Sequence, residues 1–177
     1  YGFPDDNSGN KPYTDCHHLF LCDIAYNGAR GSRVFDDCTS GCSSYVTDDH
    51  NGLSGVNYTR NDSPVGIWET WDHRKGDVAR TILYMDIRYE GGTGEPDLIA
   101  TSNLSQMLVE TDACGDGYQP TAYHGVLSTL LAWHAADPVD ADEIRRNDQV
   151  WCYQQNRNPF VDHPEWVDCL YNGQCTG

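Results

Sequence analysis

Eight cysteines in a chain of 177 residues, Cys16, Cys22, Cys38, Cys42, Cys114, Cys152, Cys169 and Cys175, constrain this sequence more than any other feature. That many thiols in so short a chain point to an oxidising compartment, where pairs staple loops that a small core would not hold. The even count predicts that all eight pair and that no thiol is left free. Cys38 with Cys42, and Cys169 with Cys175, are spaced to close small local loops; the partners of the others stay open. A zinc site from Cys16, His17, His18 and Cys22 is the rival use, but the paired Cys-x(2–4)-Cys knuckles of structural zinc are missing.

The charge is one-sided. Lys and Arg number 11 against 27 Asp and Glu, a formal net charge of −16. Such a surface repels nucleic acid at long range, so binding to it requires a local Arg cluster or metal ions. An Asp-rich, Lys-poor composition also fits salty surroundings, where screening relieves self-repulsion. No apolar run approaches the ~20 residues that a membrane-spanning helix needs, so no membrane insertion is expected. An acidic calcium-binding loop of the Asp-x-Asp-x-Asp-Gly type is absent. Sequons at Asn57, Asn61 and Asn103 add to an extracellular or periplasmic, secreted reading. Tyr1-Gly2-Phe3-Pro4 has no initiator Met and reads as a start inside a larger precursor.

The length suits one domain, 1–177. Residues 1–14 read as an extended lead-in. Ile24 to Ala29 permits a short helix that Gly31 ends. Residues 31–73 show no helical period and read as irregular structure with small hairpins. The second half reads as helical: Val78, Ile82, Met85 and Tyr89 form one stripe over 77–89, and Val126, Leu130 and Trp133 another over 124–136. Asp140 with Glu143 forms a capping box that opens a helix to about Gln155, and Asp162 with Glu165 repeats the device.

Three ordered strings are more specific than these patterns. The first is Tyr13-Thr14-Asp15-Cys16-His17-His18-Leu19-Phe20, followed by Asp23 to Arg33. The second runs from Lys75-Gly76-Asp77-Val78-Ala79-Arg80 to Arg88-Tyr89. The third begins at Leu130-Leu131-Ala132-Trp133-His134 and ends in Asn156-Arg157-Asn158-Pro159-Phe160-Val161-Asp162-His163-Pro164-Glu165. Together they resemble the endonuclease I family, secreted or periplasmic nucleases of the ββα-metal (His-metal finger) class, over roughly 12–33 and 69–171. The resemblance implies an α+β, mainly helical fold, with a partial ββα finger on a disulfide-stapled helical body. It implies a metal-dependent, sequence-nonspecific endonuclease that hydrolyses phosphodiester bonds in DNA or RNA and leaves 5′-phosphate ends. Mg²⁺, or another divalent cation such as Ca²⁺ or Mn²⁺, is the implied cofactor.

Carried over residue by residue, the resemblance makes Asn27, in Tyr26-Asn27-Gly28-Ala29-Arg30, a metal ligand whose carbonyl is a hard oxygen donor. On the residues alone, Asn27 before Gly28 reads as a capping or turn residue. Arg30 and Arg33 are the best phosphate contacts, because a guanidinium binds phosphate bidentately and keeps its charge. Asp15, His17 and His18 support the site by tying the finger together. Lys75, Asp77, Arg80 and Arg157 read as structural, and His134 as an interhelix partner.

One departure from the family's pattern lies where the chemistry would be. No Glu-His-x-x-Pro occurs in these 177 residues, although the family takes its general base and its carboxylate ligand from that motif, upstream of the Tyr-Thr-Asp string. The expectation is that the base comes from a segment before Tyr1, attached or cleaved but retained as a partner. The competing reading is a non-catalytic extracellular binding or structural module on a nuclease scaffold. Leu21-Cys22 also replaces a proline common in relatives, and an extra disulfide is expected there.

Overall fold

The computed structural model describes residues 11–48, 54–61, 66–91, 96–103 and 121–175. Cys114 and His50 lie outside the described residues. A six-stranded mixed sheet carries helices built largely from the second half of the chain, an α+β architecture. Its strands are β1 (Val34–Phe35), β2 (Ser43–Asp48), β3 (Ser54–Arg60), β4 (Ile67–Glu69), β5 (Asp97–Ala100) and β6 (Thr121–Gly125), in the order β2-β3-β4-β1-β6-β5. β2 and β3 pair antiparallel with Ser43 opposite Thr59 and Asp48 opposite Ser54, and β3 pairs antiparallel with β4. β1 runs parallel to both β4 and β6, and β5 parallel to β6.

The first half is thus more ordered than its composition predicts. The hairpin was legible in the β-branched and aromatic run Tyr45-Val46-Thr47. Two- and three-residue strands such as β1 and β4 are too short to show a period, and only pairing with distant strands defines them. The apolar reading of 124–136 as one helix is corrected at its start: residues 121–125 form β6, and the helix begins at Leu127.

Seven helices are present among the described residues: α1 (Lys11–Thr14), α2 (Ile24–Arg30), α3 (Lys75–Arg88), α4 (Leu127–Ala136), α5 (Ala141–Gln154), α6 (Pro159–Asp162) and α7 (Glu165–Asn172). The stripe on α3 is the spine of the core. Ile82, Met85 and Tyr89 are buried, together with Leu83 and Ala79, against Leu98 of β5, Leu130 and Trp133 of α4, Phe160 of α6 and Val167 of α7. Asp140 caps α5 as expected, its carboxylate accepting from the Asp142 and Glu143 N–H groups. The second capping box does not form. Asp162 ends α6 and turns its carboxylate to Arg157 and Asn147, while Pro164 precedes α7 with no side-chain cap.

Arg80, fully buried on α3, is the polar centre of this layer. Its guanidinium makes two bonds to the Glu143 carboxylate of α5 and one to the Asp137 carbonyl at 2.8 Å. Gly76, one turn earlier, lets the chain after α4 come close, since a Cβ there would lie 2.0 Å from the Asp137 carbonyl oxygen. Burial pushes the Glu143 carboxyl up, to about 7, against the opposing pull of Arg80. The pair therefore fixes geometry at a desolvation cost rather than adding much net stability.

Disulfides join Cys38 to Cys42 and Cys169 to Cys175, the two local loops anticipated from spacing. The expectation that every cysteine pairs is corrected. Cys16, Cys22 and Cys152 are thiols with no described cysteine within bonding distance. Cys152 faces outward from α5, Cys16 is half-buried in the string before α2, and the Cys22 thiol contacts the Asp23 carbonyl. Of the sequons, Asn57 is excluded as a glycan site: it is 6% exposed, and its carboxamide oxygen accepts from the Trp71 N–H.

Candidate functional site

The site is built on α2, seven residues with unusually little burial; none of its side chains is buried. Asp23 starts it, its carboxylate accepting from the Ala25 N–H at 2.7 Å. Gly31 ends it with φ 52°, a conformation that disfavours any side chain, and donates its N–H to the Asn27 carbonyl. Asn27 therefore stands inside the helix rather than at a cap or turn, and it is exposed. A Cβ built on Gly28 meets nothing within 4 Å, so the helix surface beside Asn27 opens to solvent.

Arg30 lies one turn on and packs back against the sheet. Its guanidinium sits 5.2 Å from the Phe35 ring centroid and donates to the Arg33 carbonyl at 3.2 Å. Burial lowers its pKa, with the nearby Cys22 opposing. Arg33 donates to the Ala29 and Arg30 carbonyls and to the Asn61 carboxamide oxygen. Both guanidiniums thus hold the 29–33 turn against β1 and β3, and a phosphate would have to share them. A cavity of about 310 Å³ lies elsewhere, between β3 and the segment 71–73, lined by Gly55, Val56, Tyr58, Trp71 and His73. Among the described residues, Asn27 and Arg30 share no pocket: Asn27 is exposed on an open helix surface, and the Arg30 guanidinium lies over Phe35.

The string before α2 is a buckle onto the helical layer. Asp15, 3% exposed, accepts four hydrogen bonds: the Tyr84 and Tyr89 hydroxyls and the His17 N–H each at 2.8 Å, and Gln154 Nε2 at 2.9 Å. Burial pushes its carboxyl up, but Gln154, the His17 N–H and the two tyrosines outweigh it and hold the pKa below the ordinary value. His17 is 1% exposed, donates Nε2–H to the Asn156 carbonyl at 3.2 Å and meets the Tyr84 ring edge-on at 4.8 Å. Burial lowers its pKa, against the opposing pull of the Asn156 carbonyl and Asp15. His18 donates Nδ1–H to the Asp15 carbonyl at 2.9 Å, and burial lowers its pKa too. Arg146 of α5 donates to the carbonyls of Cys16, His17 and Leu19 and lies over the Phe20 ring at 4.1 Å.

Asp15 and His17 therefore tie the approach to α2 onto α3 and α5. These bonds also rule the zinc arrangement out of this geometry, since the His17 ring is turned to Asn156 and Cys22 is exposed on the loop. Among the described residues no group of three or more His, Cys, Asp or Glu side chains is placed to hold a metal ion. His124 of β6 was not singled out from sequence; it is buried and lies within electrostatic reach of His18 and Arg30. Tyr45 was read only as part of a hairpin, yet it packs on Tyr26 beside Asn27. No linear pattern links either residue to α2, because sheet pairing brings them there.

Three similarities bear on this geometry. The family profile described as endonuclease I matches residues 3–165. A protein of Bacillus amyloliquefaciens named extracellular ribonuclease is 46% identical over 161 residues, covering 90% of this chain and 47% of the relative. One of the same name from Bacillus subtilis (strain 168) is 42% identical over 168 residues, covering 94% of this chain and 50% of the relative. The chain thus spans about half the length of these relatives. No solved structure gives a significant match.

Proposed function

The chain belongs to the endonuclease I family, and from that membership we infer that it is part of an extracellular nuclease hydrolysing phosphodiester bonds of nucleic acid. RNA is the first substrate to consider, because both relatives are named ribonucleases; DNA is the second. The observation that carries the reading is the exposed Asn27 on an otherwise open helix face, inside the one string where a functional carboxamide was expected.

Asn27 offers a single hard oxygen donor of the kind Mg²⁺, Ca²⁺ or Mn²⁺ accepts. One donor does not make a site, and the described residues add no carboxylate cluster around it. What the chain's own residues do is positional. The Asp15 and Arg146 contacts fix the approach to α2, Gly31 and Arg33 fix its end, and Asn27 is left facing solvent. His17 cannot serve as base, because its ring is buried and its Nε2–H is committed to Asn156.

The second reading, a non-catalytic module, is favoured by one observation: Glu-His-x-x-Pro is absent from the 177 residues. A single comparison separates the two. Purified 1–177 and the longest natural form of the protein are incubated with labelled RNA and DNA, with Mg²⁺ and with chelator. The nuclease reading expects chelator-sensitive cleavage by the natural form and little or none by 1–177 alone, general-base catalysis typically contributing about 10²–10⁴-fold. No cleavage by either form selects the module; robust cleavage by 1–177 that His18→Ala abolishes places the base within these residues.

A further inference from the structure

A row of aromatic rings leads away from Asn27. Tyr26 meets the Tyr45 ring edge-on, with centroids 6.5 Å apart, and Tyr45 meets Trp68 at 6.0 Å. The row runs from buried to open. Trp68 of β4 is 5% exposed and belongs to the sheet interior, Tyr26 is half-buried, and Tyr45 of β2 is 37% exposed. The backing is rigid. Tyr45 pairs with Asn57 across the hairpin, and the buried Asn57 carboxamide is bonded in turn to the Trp71 N–H. Among the described residues β2 is the edge strand, so no described strand lies beyond Tyr45.

The charge of this chain makes such rings useful. At −16, the protein gains little from counterion release, the term that supplies most non-specific affinity for duplex nucleic acid. Stacking of bases on aromatic rings does not depend on net charge and tolerates any sequence. It does require bases with exposed faces, which a paired duplex does not present. Arg30, whose guanidinium hydrogen bond goes to a carbonyl, and Gly28, with open space above it, lie on the same helix as Tyr26.

Resting on the nuclease reading above, we propose that Tyr26 and Tyr45 form a stacking platform for an unpaired base of the strand whose phosphate lies at Asn27, so that the site selects single-stranded over duplex nucleic acid. The test is fluorescence anisotropy in chelator, where no turnover occurs, with an end-labelled single-stranded RNA 12-mer, the same DNA sequence and a blunt-ended hairpin duplex. Wild type is expected to prefer the single strands. Tyr45→Ala should weaken single-strand binding by about 5- to 150-fold per stacked base and leave the hairpin unaffected. Tyr45→Phe, which keeps the ring, should stay within about twofold of wild type. Tyr26→Ala, on a helix with no buried side chain, repeats the test if Tyr45→Ala does not fold. An unchanged single-strand Kd in a folded variant, an equal loss for strand and hairpin, or no single-strand binding by wild type overturns the platform. Cleavage is scored separately: binding that depends on Tyr45 in a protein that never cleaves sinks the nuclease reading and leaves the platform standing.

Discussion

Replacing Asp15 by Asn tests the buckle that positions α2, and its cost can be worked from the four bonds. Oδ1 accepts from the His17 N–H and Gln154 Nε2, and Oδ2 from the Tyr84 and Tyr89 hydroxyls. The carboxamide keeps one acceptor oxygen, best left facing the two N–H donors, and puts an NH₂ opposite the two hydroxyls. The Tyr84 oxygen already accepts from Asn156 Nδ2 at 2.7 Å, so that hydroxyl cannot reverse its role without leaving its own proton unpaired. Two charge-assisted bonds are lost in a buried site, at about 1.5–3 kcal/mol each, or about 3–5 kcal/mol together after relaxation. For a chain of this size that lowers Tm by about 6–20 °C. Urea and thermal unfolding of Asp15→Asn, with Tyr89→Phe as the single-bond control, measure it. The pH dependence has a defined sign. The folded pKa of Asp15 lies below its unfolded value, so its contribution is complete above the unfolded pKa and is lost as pH falls through the folded one. Wild type should lose stability on acidification more steeply than Asp15→Asn below about pH 4. A Tm within about 2 °C of wild type, or parallel acid profiles, would refute the argument that these bonds hold the string.

Other outcomes follow from the same geometry. Alkylation of the unreduced, denatured protein followed by peptide mass mapping should label Cys16, Cys22 and Cys152 and leave Cys38, Cys42, Cys169 and Cys175 unlabelled; a label on any of the last four contradicts the pairing. Arg80→Ala should cost about 3–5 kcal/mol because it strands a buried Glu143, whereas the double change Arg80→Met with Glu143→Leu should cost much less in urea unfolding. Gly76→Ala should lower Tm, since its Cβ would meet the Asp137 carbonyl oxygen at 2.0 Å, and the cost is read by calorimetry. Asn27→Ala, at an exposed position, should change stability by no more than about 0.5 kcal/mol while abolishing any chelator-sensitive cleavage by the natural protein; retained cleavage removes Asn27 from the site.

The helical layer was legible in the sequence because its signals are local. Val78, Ile82, Met85 and Tyr89 repeat at helical spacing, and Asp140 and Glu143 sit three residues apart at a cap. Asp162 and Glu165 have the same spacing, yet no cap forms, because the Arg157 guanidinium and Asn147 take the Asp162 carboxylate. A local signal loses there to a partner that only the fold supplies. The sheet was less legible for the same reason: β1 has two residues, and its parallel neighbours come from 67–69 and 121–125. At the site, the short helix and its Gly31 stop were readable. The roles of Asp15 and His17 were readable only as ties; their partners, Tyr84, Tyr89 and Asn156, lie on other elements.

How a chain of charge −16 meets a polyanion depends on where its few cations are spent. Most of the basic side chains on the helical layer face carboxylates. Arg74 meets Asp77, Lys75 meets Glu69 and Asp72, Arg80 meets Glu143, Arg145 meets Asp142, and Arg157 meets Asp148 and Asp162. Each of these cations is matched or outnumbered by carboxylates and offers a phosphate little. Arg30 and Arg146 differ: their guanidiniums donate to main-chain carbonyls and, among the described residues, form no ion pair. A carbonyl satisfies the N–H groups without cancelling the charge. These two lie along the segment from the Asp15 string through α2, Arg146 on residues 16–20 and Arg30 on the turn after the helix, so charge that no carboxylate cancels is kept along that segment in an otherwise negative protein. Because most of the surrounding surface is acidic, that local charge acts over short distances only, and salt should weaken binding less steeply than for a basic nuclease. Measuring the single-strand Kd from 50 to 400 mM salt checks this. A slope of log Kd on log salt corresponding to about one or two phosphates fits two local guanidiniums, and a slope several times larger would mean that the basic contacts lie elsewhere.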